Sequence, residues 1–430
     1  MNRRAVLLLA AAAATAGELW AQAVPENSQA ARVQPAYRRT PTFRIDPFRH
    51  AMIPHWGFVF SGGAVGENNT LNFADIGALT YLSDRDSLLA GDVLDVLNLV
   101  PKGRGFAGSA LGEGGFYLGG PFGGHFSIGL SAQGRGYGAF LLDEEFVSLA
   151  RDGNLSAQSF SLGDTKAAAL GSAEGGAHAV LRFGPLGSED GVHLSIGAGA
   201  RYIKPIAFAR FRSTLADGGV IRVTEDSIIA NLEVELAHTP DIDSTFNNGS
   251  ASIAGDFLIR LSWPTSGFAL EAMVANLGTV TVHRVETERR RLTVRTDNLQ
   301  EVLDSLDNFT NDSLAVKDTV DLEVKLPRIV RFTASAWANR ILQVDVSATL
   351  PTSGDFESPL AVDVNTTWRF IRTIPLRLGA VLGAHQGIGF TGGLAIEGRN
   401  MFLQIMGQSL GGLFRNATGA GGRFELGFFF

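Results

Sequence analysis

Most of the chain alternates apolar with polar residues at a period of two, in short segments separated by turns. Val192, Leu194 and Ile196, for example, alternate with His193 and Ser195. Successive side chains of a β-strand point to opposite faces, so each such segment predicts a strand with one apolar face. Turn clusters rich in Gly, Pro and Asp separate the segments, as in the hairpins of an antiparallel sheet. The sequence therefore predicts an all-β protein.

The polar face of these strands distinguishes a soluble sandwich from a membrane barrel. In a sandwich this face meets bulk water and usually carries Lys, Glu and Thr. Here it is rich in Gly, Ser, Asn and Gln with isolated charges, and an Arg facing the middle of a bilayer would cost about 2–4 kcal/mol. The charged face must then be the lumen of a barrel. The candidate lumen-lining residues are His125, Arg182, His193, Arg201, Arg260, Glu271, Asp345, Asp363, Arg369 and Arg377.

The segments can be counted as strands. The count is between 14 and 18, and closure of a single-chain barrel favours an even number. We expect a transmembrane antiparallel up-and-down barrel.

The last residues of the chain form an apolar strand. Phe424, Leu426, Phe428 and Phe430 share one face, and the chain stops there. An outward apolar face with a terminal Phe resembles the signal read by the barrel-assembly machinery, which we expect as a partner. For this stretch alone, the final core strand of a soluble β-domain is the alternative.

The N-terminus predicts export. Arg3 and Arg4 precede an apolar run that is well short of the ~20 residues of a spanning helix. The small residues around Ala23 then form a signal-peptidase site, so residues 1–23 are expected to be a signal peptide. A cleaved signal followed by barrel strands predicts the bacterial outer membrane.

The segment 24–52 contains four prolines, Pro25, Pro35, Pro41 and Pro47. So many prolines exclude a helix or a central strand. We expect an extended segment, either periplasmic or folded into the lumen as a plug, and a disordered leader is the alternative. The barrel is expected to occupy residues 53–430.

Two further segments break the alternation. Ser87 to Leu97 has helical spacing and predicts a small plug or loop helix. Within residues 280–325, the stretch from His283 to Thr296 is dense in Arg and Glu and predicts a hairpin extended beyond the membrane, with a loop helix at Asp297 to Asp307. Basic patches attract phosphate groups, so outer-membrane lipid and lipopolysaccharide are expected partners.

Composition excludes several classes of function. The net charge of −7 gives no basic surface for nucleic acid, and the absence of cysteine excludes disulfides and thiolate chemistry. Phosphate loops, zinc motifs and nucleophile elbows are not found in the sequence, so we expect no cofactor and no metal. Ser127 with His125, His178 and His193 could suggest a hydrolase, but lumenal histidines are more often polar filling, and we expect no enzyme.

Several short motifs carry a family resemblance. They are Gly267 to Leu270 leading to Asn276-Leu277-Gly278, the Leu326-Pro327 that opens a strand, the hairpins from Pro375 to Phe430, and the stretch Asp75 to Leu97. With these motifs the chain resembles the long-chain fatty-acid channel superfamily of outer-membrane barrels, and more closely a branch described only as a domain of unknown function. The resemblance implies a fourteen-stranded barrel with an N-terminal segment inside it, through which hydrophobic small molecules pass passively. The superfamily's Asn-Pro-Ala near the mature N-terminus is replaced here by Asp46-Pro47-Phe48 at best.

Two functions follow as hypotheses. The first is a passive outer-membrane channel or carrier for hydrophobic or amphipathic small molecules. The alternative is a non-transporting barrel that serves as a surface or secretion-system scaffold, with the charged extension as its docking surface. Transport needs a path through the barrel, whereas a scaffold can be filled by side chains.

Overall fold

The structure is a computed structural model. It describes residues 43–52, 55–78, 95–152, 159–161, 163–186, 191–215, 219–223, 228–240, 251–296, 316–337, 341–351, 356, 359–371, 373–385 and 387–430. The predicted signal peptide, most of the predicted helix at Ser87 to Leu97 and the predicted loop helix at Asp297 to Asp307 lie outside the described residues. Residues 95–98, at the end of the first of these helices, are helical.

Nineteen strands form one sheet. They are β1 (Gly57–Asn68), β2 (Phe106–Pro121), β3 (Phe126–Leu142), β4 (Ser159–Ser161), β5 (Lys166–Leu186), β6 (Val192–Ser213), β7 (Val220–Val223), β8 (Ile228–His238), β9 (Ser252–Trp263), β10 (Phe268–Leu277), β11 (Thr279–Thr296), β12 (Val316–Lys325), β13 (Ile329–Trp337), β14 (Leu342–Pro351), β15 (Ala361–Ile371), β16 (Ile374–Gly383), β17 (Gly387–Glu397), β18 (Met401–Leu410) and β19 (Gly419–Phe429).

Fourteen of these strands close into an antiparallel barrel, which confirms the predicted architecture and strand number. The ring runs β1, β2, β3, β5, β6, β9, β10, then β13 to β19 in order. It closes where β19 pairs with β1, from Gly57 opposite Phe429 to Glu67 opposite Gly419. Closure leaves no strand edge exposed to lipid within the ring.

The remaining strands build an extension at one end of the barrel. β8 pairs with the last residues of β6, β11 pairs with β8, and β12 pairs with β11. β6 has 22 residues. At about 3.3 Å per residue and a tilt of roughly 40°, such a strand rises about 55 Å, which far exceeds an apolar band of about 25 Å. The extension therefore stands beyond the membrane.

The two ends of the barrel differ in their connections. Both chain ends of the barrel, at Gly57 and Phe429, meet at one end, where short turns such as residues 264–267 join the strands. The extension and long connections, such as residues 69–105, lie at the other end. Outer-membrane barrels carry short turns on the periplasmic side and long loops on the outside, which orients the molecule.

The outer wall is apolar where the alternation predicted it. Phe424, Phe428 and Phe430 are exposed, whereas Arg423 and Glu425 on the same strand are buried. Exposed large apolar side chains surround the barrel, among them Leu130, Ile196, Phe257, Phe332, Leu378, Phe390 and Ile405. Such a surface is stable only against hydrocarbon, so the protein is a membrane barrel of the outer-membrane type.

Helices are short in the described part of the chain. They include α1 (Phe73–Ala78), α2 (Glu144–Asp152) and a 3₁₀ turn at Phe414–Asn416. Asn72 caps α1, since its side-chain oxygen accepts hydrogen bonds from the backbone N–H groups of Ala74 and Asp75. Among the described residues, no helix is long and apolar enough to cross a membrane.

A charge on the outer wall should destabilise the barrel. Leu378 is exposed near the middle of β16, and Leu378→Arg would place a cation in hydrocarbon. We expect a loss of about 2–4 kcal/mol in the free energy of unfolding, measured by urea titration in lipid vesicles. Leu413→Arg is the matched control, because Leu413 is equally exposed but lies in the connection between β18 and β19. Equal losses in both variants would contradict the assignment of the outer wall.

Candidate functional site

Residues 43–52 lie inside the barrel. Ile45, Phe48 and Met52 are almost completely buried. The ring of Phe48 meets that of His178 edge to face, with 5.2 Å between centroids. A Cβ placed on Gly129 of β3 would lie 2.9 Å from the Cα of Ala51, so the wall needs a glycine where this segment approaches. We call residues 43–52 the plug.

Ion pairs attach the plug to two walls. Arg49 pairs with Glu425 on β19. Asp46 lies 2.9 Å from the guanidinium of Arg331 on β13, and that guanidinium also donates to the carbonyl of Ile45. β13 and β19 stand almost opposite each other in the ring. The plug is therefore held across the lumen.

A layer of buried charges lies beside the plug, along one side of the lumen. Glu174 accepts hydrogen bonds at 2.8 Å from both Arg135 and Arg201, and Arg201 also pairs with Asp256 at 2.8 Å. The layer continues through Glu113 to β19. Its members, which span about half of the ring from β19 through β1 to β9, are Ser61, Glu113, Gln133, Arg135, Glu174, His178, Arg201, Asp256, Arg423 and Glu425. We call this set the ionic layer.

Because the ionic layer is buried, the stability of the barrel depends on the pairing of its charges. The side chains of Arg201, Glu174 and Asp256 have no exposed surface. An unpaired charge in such a place is strongly destabilising, so each cation must lie against carboxylates. The Arg201 guanidinium satisfies this by contacting two carboxylates and the side-chain oxygen of Asn276.

On one side of the barrel, an apolar core extends from β3, β5 and β6 into the base of the extension, whereas Glu67, Arg331 and Asp363 are buried near the extracellular ends of other wall strands. Tyr137 of β3 marks the boundary of this core with the ionic layer: its hydroxyl contacts the Arg135 guanidinium at 3.5 Å, and its ring packs near Phe356. The buried side chains around it are Ala168, Leu170, Ile203, Phe208, Ala237, Val280, Val282, Val285, Val324, Leu326 and Phe356. We call this set the apolar layer. The lumen thus differs from the polar interior of a water-filled porin.

Two of the sequence motifs meet between these layers. Asn276 adopts a left-handed conformation, with φ 62°, where β10 ends. Its backbone N–H donates to Asp256, and its side-chain amide donates to the carbonyl of Pro327 at 2.8 Å. The Asn276-Leu277-Gly278 and Leu326-Pro327 segments therefore form one contact that anchors the ionic layer.

The predicted lumen-lining residues take different positions. Arg201, Glu271, Asp345, Asp363 and Arg377 are buried inside the barrel. Arg182, His193, Arg260 and Arg369 lie on the same inward faces and are partly buried. Two of them form ion pairs: Arg260 with Glu271 at 3.4 Å, and Arg369 with Glu397 at 2.6 Å.

His125 does not line the lumen. It lies exposed in the turn between β2 and β3, next to the carbonyl of Arg182. The turn closes where the Phe122 N–H donates to the carbonyl of Phe126, so the alternation of the following strand does not extend back to His125. The expectation of a lumenal His125 was wrong for this reason.

Sequence reasoning missed the centre of the ionic layer. Glu113, Arg135 and Glu174 lie among glycines and alanines, such as Gly134 and Gly136 beside Arg135. With such small neighbours, these strands show little apolar alternation. The sequence signal that could have identified these three lumen-facing positions was a single charged residue among small ones.

The extension carries its own exposed ion pairs. The backbone N–H of Arg284 and then the imidazole of His283 bind the carboxylate of Asp321, and these contacts lower the pKa of Asp321. His283 and Arg284 lie on β11 and Asp321 lies on the paired strand β12, beyond the membrane. Since the carboxylate is solvent-exposed, the pairing orders the hairpin more than it stabilises the fold.

No family model and no curated protein matches the chain. Several solved structures are similar to the chain. A TodX mutant, a monoaromatic hydrocarbon channel, is 10% identical over 89% of this chain and 91% of its own, with a TM-score of 0.45. The monoaromatic hydrocarbon channel CymD is 9% identical over 95% and 94%, with a TM-score of 0.43. A Pseudomonas aeruginosa FadL homologue is 10% identical over 94% of both chains, with a TM-score of 0.41.

At such low identity and TM-score these likenesses carry no argument about family or mechanism. What the barrel does must be argued from its own residues.

Removing the central cation of the ionic layer should unfold the barrel more easily. Arg201→Leu leaves Glu174 and Asp256 without that partner, and we expect a loss of about 3–5 kcal/mol in the free energy of unfolding. Arg212→Leu is the control, because Arg212 pairs with Glu235 at 3.1 Å on a side chain that is 44% exposed, and we expect less than about 1 kcal/mol there. Denaturant titration in vesicles measures both, and similar losses would show that burial of the charges is unimportant.

Proposed function

We propose that the protein is a gated outer-membrane passage for hydrophobic or amphipathic small molecules, with the plug as its gate. The observation that carries the proposal is the apolar layer, a buried core that β3, β5 and β6 share with the extension and with the plug residues Ile45, Phe48 and Met52. When the plug moves, an apolar solute can take its place against these side chains and gains free energy roughly in proportion to the area buried. A water-filled pore for polar solutes does not require an apolar layer of this kind.

The ionic layer and the plug close the path toward the periplasm. An apolar solute cannot replace the partners of Arg201 or Glu174, whose burial makes separation costly. The plug occupies the adjacent space with Phe48 and Met52. Passage therefore requires the plug to move, and the conformation described here is the closed one.

The attachment of the plug suits a gate. Arg49 and Asp46 each hold it through an ion pair to one wall strand. Neither tether belongs to the backbone pairing of the ring, so both can break while the barrel stays closed. This separates opening of the path from the stability of the wall.

A cross-link tests the gate directly, because the chain has no cysteine of its own. A Cβ on Gly129 would lie 3.0 Å from the Cβ of Ala51, about 0.5 Å closer than a disulfide allows, so the bond forms only with a small shift of the plug away from the wall. We expect Ala51→Cys/Gly129→Cys, oxidised, to take up a hydrophobic dye no faster than protein-free vesicles, and the reduced form to regain the wild-type rate. Each single-cysteine variant is a control that should be insensitive to reductant.

The outcomes of this experiment distinguish the hypotheses. Equal uptake by the oxidised and reduced double variants would exclude the plug as the gate. If wild type and both forms gave no uptake above empty vesicles, the passage itself would be wrong.

The second candidate function is a scaffold. It is favoured by the extension, where β8, β11 and β12 hold exposed charges such as Arg290 and Glu286 beyond the membrane. A filled lumen suits this role equally. The absence of dye uptake, together with loss of a bound partner after neutralising Arg289, Arg290 and Arg291, would favour it.

A further inference from the structure

A groove of about 930 Å³ crosses the outer wall near the extracellular end of the barrel. It lies on the lipid-facing side, because the side chains that enter it, such as Ala169, Ala209 and Leu236, are the exposed ones of their strands. Buried neighbours on those strands, such as Leu170 and Phe208, point into the lumen. The groove is thus separate from the passage.

Strand register explains the shape of the groove. Paired outward positions form two transverse rows across six neighbouring strands, and every position is Gly or Ala. The first row is Ala420, Gly66, Ala110, Gly138, Ala169 and Ala209, and the second is Gly422, Ala64, Gly112, Gly136, Gly171 and Ala207. Bulky side chains border the rows: Phe106, Phe140, Phe211 and Leu236 above, and Phe60, Phe116 and Phe424 below.

The groove leads from the bilayer to the extension. At β19 and β1 the groove lies on strands of 11 and 12 residues. Strands of this length end close to the outer boundary of the apolar band. At β6 and β8 it reaches the part of the wall that stands beyond the membrane. There His238 pairs with Glu286 at 3.7 Å, and Glu288 with Arg290 at 2.7 Å. A molecule lying in the groove therefore meets hydrocarbon at one end and polar groups at the other.

The position of the groove and the pairing of the strands beneath it limit which molecules can occupy it. Two copies of a concave face leave a void between them, which opposes self-association through the groove. β3 pairs with β2 and β5 without a shift of register, and the pairing of β5 with β6 resumes after one shift between Gly171 and Ser172, so these strands stay paired beneath the groove. Cavities of about 300–1,000 Å³ hold whole drug-sized ligands, so the groove has room for more than one slender chain.

We infer that the groove binds the acyl chains of an outer-leaflet lipid of the lipopolysaccharide type, with its phosphate headgroup at the end where the cation of Arg290 lies beside Glu288. The bare backbone of the two rows lets chains approach the sheet closely, as small residues do between membrane helices. The phenylalanine borders hold the chains from both sides. The inference does not depend on the passage.

Filling the groove tests the inference. A Cβ on Gly66 meets no atom within 4 Å, and one on Gly138 meets only the Ala110 methyl at 3.8 Å, so Gly66→Leu/Gly138→Leu should occupy the groove without straining the wall. Gly392→Leu is the matched control, because Gly392 of β17 is equally open on the outer wall but lies outside the groove. Native mass spectrometry of the whole barrel, titrated with purified lipid A, counts the retained lipid.

We expect lipid A retention to fall about tenfold in the groove variant, as overpacking of a filled site predicts, and to be unchanged in Gly392→Leu. Heat-dependent gel mobility verifies folding, and Ala169→Leu serves in place of the double variant if that does not fold. Equal retention by the groove and control variants would overturn the inference. So would a groove variant that keeps lipid A but loses dye uptake, since the groove would then hold the solute.

Discussion

A bilayer offers no hydrogen-bond partners to a strand edge, and the rest of this structure depends on meeting that constraint. The wall meets it where β19 returns to β1 and pairs along its length. Once the ring is closed, each wall strand has one face toward lipid and one toward the lumen, so every outward residue is exposed to hydrocarbon or to the aqueous rim. The alternation of the sequence is a direct consequence of this closure.

Closure also creates a lumen in which charges are removed from bulk water. Glu174 shows the result, since Arg135 and Arg201 share this one carboxylate and Gln133 donates to it as well. The pairing binds neighbouring strands from the inside, in addition to their backbone hydrogen bonds. The plug lies beside these pairs and packs into the same apolar core through Ile45, Phe48 and Met52, which makes it the proposed gate.

The two faces of the wall serve different molecules. Inward, the wall presents the ionic layer and the plug to a solute. Outward, it presents a groove whose floor is backbone and whose borders are aromatic, as at Phe140 and Phe211. β2, β3 and β5 pair without interruption between these surfaces, and β5 and β6 resume pairing after a register shift between Gly171 and Ser172, so each surface can bind its own ligand. The small residues of β1 to β6 therefore shape the lipid-facing surface.

The sequence by itself determined the fold class, a range of 14 to 18 strands and the face of most wall residues, since side-chain direction along a strand is local and has a period of two. Alternation failed at His125, where a turn replaces the strand. Only the tertiary structure decided which charges meet, as with Arg201 and Asp256, 55 residues apart. It also placed the plug between β13 and β19 and aligned the glycines of separate strands into a groove. These features depend on the register between distant segments, which no local pattern records.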